Sequence, residues 1–435
     1  MQKRRSPQVE RKKIISLLKD KNSIVFVVLG IGVFLSCLSF VYPTNSVYVV
    51  SGLENGENGT NGVLTSVATS SELEIPKEKP FVATHVSIPN QVKGIYMTAC
   101  VAATPSFRDK LVKLIQETEL NTVIIDVKDY SGTVSFDIED PLILEKNAGG
   151  CRVSDMREFV QFLHEKNIYV VGRITVFQDP FYAKNFPDFA VKKSSNTSSL
   201  WKDYKGISYI DVGAEDYWKY IVALSKGAYK EGFDEINYDY VRFPSDGNMK
   251  DIYFPYSGDS LAISSGFGKA EALRDFFAYL YEEMKDTGAV LSADLFGMSM
   301  TSYDDMNIGQ VLEYAAPYFD YIAPMVYPSH YPSGFNGYQN VNDYPYEIVK
   351  FAMDTGVKRI EEMANSTTTA IAGRGKVSKD QLRPWLQDND YPVHYTPEMV
   401  RTQIQATYDA GLDSWMLWDA GNTYTKAALK VVPEQ

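Results

Sequence analysis

The amino-acid sequence predicts an α/β protein, a (β/α)8 (TIM) barrel with insertions, preceded by a transmembrane helix and a flexible linker. From residue 91 to residue 435, short β-rich runs alternate with amphipathic helical segments, and eight such strand–helix pairs can be counted. The chain has 435 residues with a hydrophobic share of 45%, which is enough for one large core. A doubly wound open sheet is the alternative fold for the same alternation.

The first 42 residues predict a membrane anchor. Residues 1–22 are rich in Lys and Arg, and an uncharged apolar run of 19 residues, Ile24–Tyr42, follows them. About 20 apolar residues are needed for a helix to cross a bilayer, and a basic flank stays on the cytoplasmic side. Residues 23–42 are therefore predicted to be a retained signal anchor in the cell membrane, with the C-terminal domain outside the cytoplasm. A cleaved signal peptide, which would secrete the domain, and lipidation at Cys37 are the alternatives.

The next segment, residues 43–90, predicts a flexible linker. It is rich in Ser, Thr, Asn, Gly and Glu and has neither a helical nor a strand period. Such a composition buries too little apolar surface to offset the entropy of ordering the chain. The linker would separate the membrane from the folded domain at residues 91–435.

Eight runs enriched in Val, Ile, Tyr and Phe predict the strands of the barrel. In chain order they are Val92–Ala99, Asn121–Lys128, Ile168–Phe177, Phe233–Phe243, Ala289–Met298, Tyr321–Tyr327, Gln381–Gln387 and Asp413–Trp418. The seventh is the weakest prediction, because Pro384 lies inside it and proline cannot donate a ladder hydrogen bond.

Helical spacing of apolar residues predicts the helices between these strands. The clearest is Lys269–Lys285, where Leu273, Phe276 and Leu280 share one face. Two helices begin at Thr-Pro pairs, in which Thr caps the helix and Pro occupies its first turn. Six helices are predicted: one that begins at Thr104-Pro105, then Ser154–Lys166, Asp216–Lys230, Lys269–Lys285, one within Tyr344–Met363, and one from Thr396-Pro397 to Gly411.

Charge and composition argue against several classes of function. The net charge is −12, and residues 43–435 alone carry −18, which would repel a nucleic-acid backbone. The four histidines lie far apart, the three cysteines form no CxxC pair, and there is no Gly-rich phosphate loop. The sequence therefore predicts no metal, no cofactor and no nucleic-acid partner. It leaves the oligomeric state open.

Three aspartates close predicted strands: Asp126 on the second, Asp239 on the fourth and Asp294 on the fifth. In a TIM barrel, catalytic groups sit at these C-terminal strand ends. Glycoside hydrolysis needs two carboxylates, one to protonate the leaving oxygen and one to attack the anomeric carbon or activate water. Because their strands are neighbours, Asp239 and Asp294 are the predicted catalytic pair. The alternative for each is a structural role, as a cap of the next turn or a partner of a nearby Arg.

Other side chains at the strand ends are predicted to bind substrate. They are Asp126, Lys128, Arg242, Tyr327, Trp385, Gln387 and Trp418. A period of two puts Asp126 and Lys128 on one face of their strand. Arg242 or Lys128 would hold one carboxylate ionised, and the aromatic rings would stack on sugars. A structural ion-pair network around Lys128 and core positions for the two tryptophans are the alternatives.

The order of these motifs resembles one family. The segments that carry the resemblance are Lys93–Tyr96, Asp126–Asp129, Asp239–Gly247, Ser292–Gly297, Pro324–Tyr331, Arg383–Gln387 and Trp415–Trp418. Together they resemble the bacterial DUF4015 type of glycosyl hydrolase domain, from about Val92 to the C-terminus. The resemblance implies a distant similarity to α-amylase-type barrels, with Asp239 as nucleophile and Asp294 as acid/base. This sequence departs from that larger group by having Asp at 294 instead of Glu, and Gln387 instead of a carboxylate on the seventh strand.

The sequence thus predicts a membrane-tethered glycoside hydrolase acting on a cell-envelope or extracellular polysaccharide. A non-catalytic glycan-binding barrel of the envelope is the alternative from another class. A lyase that forms a Schiff base on Lys128 is the third hypothesis.

Overall fold

A computed structural model describes residues 81–143, 150–258, 261, 267–366 and 377–432. The predicted basic segment 1–22, the predicted transmembrane helix 23–42 and residues 43–80 of the predicted linker lie outside these ranges. Within the described ranges, no helix is long and apolar enough to span a membrane.

Eight parallel strands close into a barrel in chain order, so the open-sheet alternative is wrong. The strands are β1 (Lys93–Met97), β2 (Thr122–Lys128), β3 (Tyr169–Thr175), β4 (Glu235–Asp239), β5 (Val290–Phe296), β6 (Tyr321–Met325), β7 (Trp385–Gln387) and β8 (Trp415–Trp418). Each lies inside a predicted strand. β7 has only three residues and begins after Pro384, so this proline stays outside the ladder.

Helices cover the outside of the barrel. They are α1 (Ala99–Ala102), α2 (Pro105–Glu117), α3 (Met156–Glu165), α4 (Pro180–Asn185), α5 (Glu215–Glu231), α6 (Gly268–Met284), α7 (Leu312–Ala315), α8 (Pro345–Asn365) and α9 (Pro397–Asp409). Local chemistry sets their ends: the Thr396 hydroxyl accepts the Met399 N–H at the start of α9, and α5 ends at Gly232 with a φ of 111°. The short helices α1, α4 and α7 were not predicted.

Two hydrophobic clusters divide the core. The larger one lies between the strands and the helices. The smaller one fills the barrel interior and consists of Tyr96, Ile124, Tyr169, Val171, Ala323, Tyr327, Trp385 and Met416. Because side chains alternate along a strand, these members identify the inward-facing positions, and the polar side chains two residues further on continue the same face toward the C-terminal end.

The N-terminal end of the barrel is covered by residues 81–90, the last part of the predicted linker. Val86 and Ile88 pack against the interior cluster, and the Val86 N–H donates to Asp234 Oδ1 at 2.8 Å. The His85 ring stacks on Tyr229 with centroids 4.1 Å apart. Residues 81–90 therefore cover the barrel interior at its N-terminal end.

A disulfide joins Cys100, in α1, to Cys151, in the segment between β2 and α3. It joins the segment that follows β1 to the segment that follows β2. This pairing was not predicted, because the two cysteines are 51 residues apart and come together only in the folded barrel.

Candidate active site

Three carboxylates meet inside the C-terminal end of the barrel: Asp126, Asp239 and Asp294. Each is at most 5% exposed. The β4–β5 register pairs Tyr238 with Ala293, which places Asp239 and Asp294 at the next position on neighbouring strands. The structure thus brings together the three aspartates that the sequence singled out.

A guanidinium links two of these carboxylates. Arg173 on β3 donates from Nη1 to Asp126 Oδ1 at 2.6 Å, and from Nη2 and Nε to Asp239 Oδ2 at 2.5 and 3.1 Å. Charge-assisted hydrogen bonds of this kind stabilise the ionised carboxylate. Arg173 therefore forms the ion pair with a catalytic-site carboxylate that was predicted for Arg242 or Lys128.

Asp126 is fully occupied by its neighbours. The Tyr96 hydroxyl donates to its Oδ2 at 2.5 Å, while Arg173 occupies its Oδ1. Burial raises the pKa of Asp126, against the opposing charge of Arg173. With both oxygens bonded to protein groups, Asp126 holds Arg173 and Tyr96 in place.

Asp294 has different surroundings. Asn237 Nδ2 and Trp385 Nε1 both donate to its Oδ1, each at 2.9 Å. Its Oδ2 has no hydrogen-bond partner among the described residues. Burial, and next the negative charge of Asp239, raise the pKa of Asp294 to about 8. A carboxyl group in this state holds a proton at neutral pH and can donate it.

Asp239 is fixed by the chain that follows it. The Tyr240 N–H donates to Asp239 Oδ1 at 2.6 Å, and Tyr240 has a φ of 53°. Positive φ is uncommon for a bulky residue, so this turn is a strained feature beside the carboxylate. Both oxygens of Asp239 thus accept from fixed donors.

Aromatic rings form one wall of the site. Trp418 stacks on Tyr96 with centroids 4.3 Å apart, and it also contacts Trp385 and Tyr327 at 5.8 and 6.4 Å. Burial, followed by the charges of Asp294 and Asp239, raises the pKa of Tyr327. Three predicted aromatic side chains, Tyr327, Trp385 and Trp418, therefore lie together beside the carboxylates.

Lys128 is separated from this site. The β2–β3 register shifts between Asp126 and Lys128, so the two residues do not share a face as predicted. The Lys128 amine pairs with Asp179 at 2.9 Å, approaches the Tyr217 hydroxyl at 3.3 Å and has no exposed surface. The predicted shared face is wrong, and Lys128 is not among the side chains that meet around Asp239 and Asp294.

Gln387 and Arg242 take other positions at the same end of the barrel. Gln387 donates to the carbonyl oxygens of Asn389 and Tyr391 and accepts from the Ser329 N–H, so it organises the loops after β6 and β7. Arg242 bonds to the loop after β4 and not to Asp239.

Sequence reasoning missed Arg173 and Tyr96. Both lie inside strands that otherwise read as apolar core. The available signal was a charged residue in the middle of a buried strand, since such a residue needs a partner across the barrel. Among the described residues, no group of three or more His, Cys, Asp or Glu side chains is placed to bind a metal ion.

The sequence comparison decides the family. Residues 94–424 match the profile of DUF4015, described as a putative glycosyl hydrolase domain. The chain belongs to the DUF4015 family. No curated protein matches it.

Solved structures place the DUF4015 domain among barrel proteins. The PgaB (BpsB) glycoside hydrolase domain from Bordetella bronchiseptica superposes with a TM-score of 0.52 at 13% identity, covering 77% of this chain and 95% of that one. A hypothetical protein from Ruminiclostridium thermocellum is 30% identical, with a TM-score of 0.40 over 46% of this chain and 96% of its own. A chitinase from Chromobacterium violaceum is 12% identical, with a TM-score of 0.42 over 78% and 98%.

Proposed function

We propose that this DUF4015 domain is a glycoside hydrolase that works outside the cytoplasm on a cell-envelope or extracellular glycan. Asp294 is the general acid, and Asp239 is the nucleophile or the base that activates water. The family and the barrel support the reaction class, and the site supports the two roles.

The observation that carries the proposal is the contrast between two neighbouring carboxylates. Asp239 accepts two hydrogen bonds from Arg173, whereas Asp294 has no ion pair among the described residues and a pKa of about 8. A carboxyl group that holds its proton, next to a second carboxyl group bonded to a guanidinium, is the arrangement that an acid and its partner need.

The chemistry follows from these two states. The proton on Asp294, at the unpartnered Oδ2, passes to the glycosidic oxygen as the bond from that oxygen to the anomeric carbon breaks. As this bond breaks, Asp239 either attacks the anomeric carbon or removes a proton from the water that attacks it. In the first case a covalent glycosyl-enzyme forms, and the ionised Asp294 then deprotonates a water that releases the sugar and restores the proton on Asp294. Trp418, which is half-buried, offers a ring face for the sugar.

The disulfide supports the extracytoplasmic location. Disulfides persist in oxidising compartments and are rare in the cytosol. The Cys100–Cys151 pair is therefore consistent with the signal anchor at residues 23–42, or with secretion after its cleavage, and both stay predictions.

Release of reducing ends from purified wall, capsule and secreted glycans tests the proposal. The parent chain is compared with Asp239→Asn and Asp294→Asn, and circular dichroism checks that all three fold. We expect activity on at least one glycan and a loss of about 10²-fold or more in each variant. Glycan binding with no turnover in any of the three would replace the hydrolase with the binding-barrel alternative.

A further inference from the structure

Arg242 differs from the other buried arginines of the described residues. Arg173, Arg359 and Arg383 each pair with a carboxylate at 2.5 or 2.6 Å. Arg242 is only 8% exposed, yet no described carboxylate lies within 4.0 Å of it. A buried cation without a counter-ion is costly, so this site is electrostatically incomplete.

The guanidinium of Arg242 is held in a fixed orientation by its neighbours. Nη1 donates to the Phe243 carbonyl at 3.1 Å and to the Ser245 hydroxyl at 3.2 Å. The rings of Tyr240 and Phe296 lie 4.9 and 5.2 Å from its central carbon. Such contacts fix the side chain before any ligand arrives, which lowers the entropy lost on binding.

Arg242 also keeps donors for a ligand. A guanidinium has five N–H groups, and Nη1 makes both of the bonds above. No nitrogen of Arg242 is both fully enclosed and without a partner, in contrast to Nε and Nη1 of Arg383. The Tyr209 hydroxyl lies beside the guanidinium and is one further hydrogen-bond partner. Any other N–H of Arg242 that has no protein acceptor must therefore be exposed to solvent.

The position of Arg242 places these donors beside the proposed catalytic pair. Arg242 follows Asp239 by three residues, and Phe296, beneath its guanidinium, follows Asp294 by two on the same face of β5. Tyr240 lies between the two groups: its N–H donates to Asp239 Oδ1 at 2.6 Å, and its ring centroid is 4.9 Å from the central guanidinium carbon of Arg242.

Two other charged groups border this position. Asp203 lies near Tyr240, but its Oδ1 accepts the N–H groups of Lys205 and Ile207 at 2.9 and 2.8 Å. Lys205, on the same turn, is near enough to His330, after β6, to contribute to lowering its pKa together with burial.

We propose that Arg242 forms a subsite for an anionic group on the sugar next to the scissile bond. The group is an oxyanion, a uronic acid carboxylate or a phosphate substituent, whose oxygens match the guanidinium fork. The charge of −18 on residues 43–435 disfavours a long polyanion, so the anionic sugar belongs to a mostly neutral glycan. This inference rests on the proposed hydrolase function.

Glycan binding by the full chain carrying Asp294→Asn, which removes turnover, tests the inference. The probes are matched oligosaccharides in three forms: neutral, with one uronic acid, and with one phosphate. We expect an anionic form to bind roughly tenfold more tightly than its neutral counterpart. The form that binds better identifies carboxylate or phosphate as the natural group.

Added substitutions separate Arg242 from general charge effects. Arg242→Met should bring the anionic probe to the neutral level, and Arg242→Lys should keep only part of the preference, because an ammonium cannot bind two oxygens side by side. Arg274→Met, at an exposed arginine on α6, is the matched control and should leave the preference unchanged. If Arg242→Met does not fold, as judged by circular dichroism, the Lys variant decides.

Equal binding of neutral and anionic probes, or a preference that survives both substitutions at Arg242, would overturn the inference and leave the hydrolase proposal standing. Absence of binding to every glycan would overturn both.

Discussion

Asp239 and Asp294 are the same residue type on neighbouring strands, and their neighbours alone separate their chemistry. Arg173 donates twice to Asp239, whereas Asp294 receives neutral donors only, from Asn237 and Trp385. Neutral donors compensate burial less than a cation does, so Asp294 keeps its proton. The proposed division of catalytic roles between Asp239 and Asp294 therefore depends on the placement of Arg173.

Activity should fall as the pH rises through about 8. The general acid works only while protonated, and the pKa of Asp294 is raised to about 8 by burial and by Asp239. The measurement is kcat/KM against pH between 5 and 10 on a substrate found by the glycan panel. A profile that stays flat to pH 10 would be incompatible with Asp294 as the acid.

The same proton affects stability, with the sign set by the raised pKa. The folded protein binds this proton more tightly than the unfolded chain does, in which the pKa of an Asp is 3.8. The stabilisation is therefore complete below pH 3.8 and is lost as the pH rises toward 8.

Asp294→Asn keeps the side chain neutral, and its amide oxygen can still accept from Asn237 and Trp385. We expect it to raise the free energy of unfolding at pH 8 by up to about 5 kcal/mol in urea titrations. At pH 4 the gain should largely vanish, and an equal gain at both values would refute the linkage.

At the scale of elements, alternation and helical spacing were sufficient to predict all eight strands and the longer helices. The interior period of two then located Asp126, Asp239, Asp294 and Trp385 on the correct face. The period of two gave the wrong face for Lys128, because the irregularity in β2 turns its side chain away from the face of Asp126. A bulge depends on the neighbouring strand and leaves no local mark in a sequence.

Other parts of the site depend on contacts between distant segments. Arg173 matters because β2 and β4 flank β3 and present carboxylates to it. A buried arginine in β3 can be recognised in the sequence. Its two carboxylate partners can be identified only when the register of the closed barrel is known. The Cys100–Cys151 pair is of the same kind, since only the fold brings the two connections together.

The Lys128–Asp179 pair should stabilise the junction of β2 and β3 strongly. Both side chains are fully buried, so Lys128→Met would leave an unpaired charge on Asp179. We expect a loss of about 3–5 kcal/mol in the free energy of unfolding. Lys219→Met, which breaks an exposed pair with Asp216, serves as the control and should cost far less, because solvent screens an exposed ion pair. Similar losses at the two positions would show that the buried pair has no special role.

At the scale of the whole molecule, the disulfide closes a covalent loop of chain that contains α2 and β2. Both of its cysteines lie in segments that follow the C-terminal ends of strands. Closing a loop of this length is worth up to about 4 kcal/mol by its effect on the unfolded chain. We expect the double substitution Cys100→Ser with Cys151→Ser to lower the melting temperature. Dithiothreitol should lower it in the parent and leave the variant unchanged. A parent insensitive to the reductant would argue against a structural disulfide and remove this support for an extracytoplasmic location.

The barrel, the family and the paired carboxylates support the proposal of glycoside hydrolysis with a division of labour between Asp294 and Asp239. Hydrolysis of aryl glycosides with good and poor leaving groups, built on the sugar that the panel identifies, measures that division most directly. A good leaving group needs no proton, so Asp294→Asn should retain activity on a dinitrophenyl glycoside while losing about 10²–10⁴-fold on an unactivated one. Asp239→Asn should lose activity on both. Equal losses for both substrates in Asp294→Asn, or full activity in Asp239→Asn, would contradict the assignment.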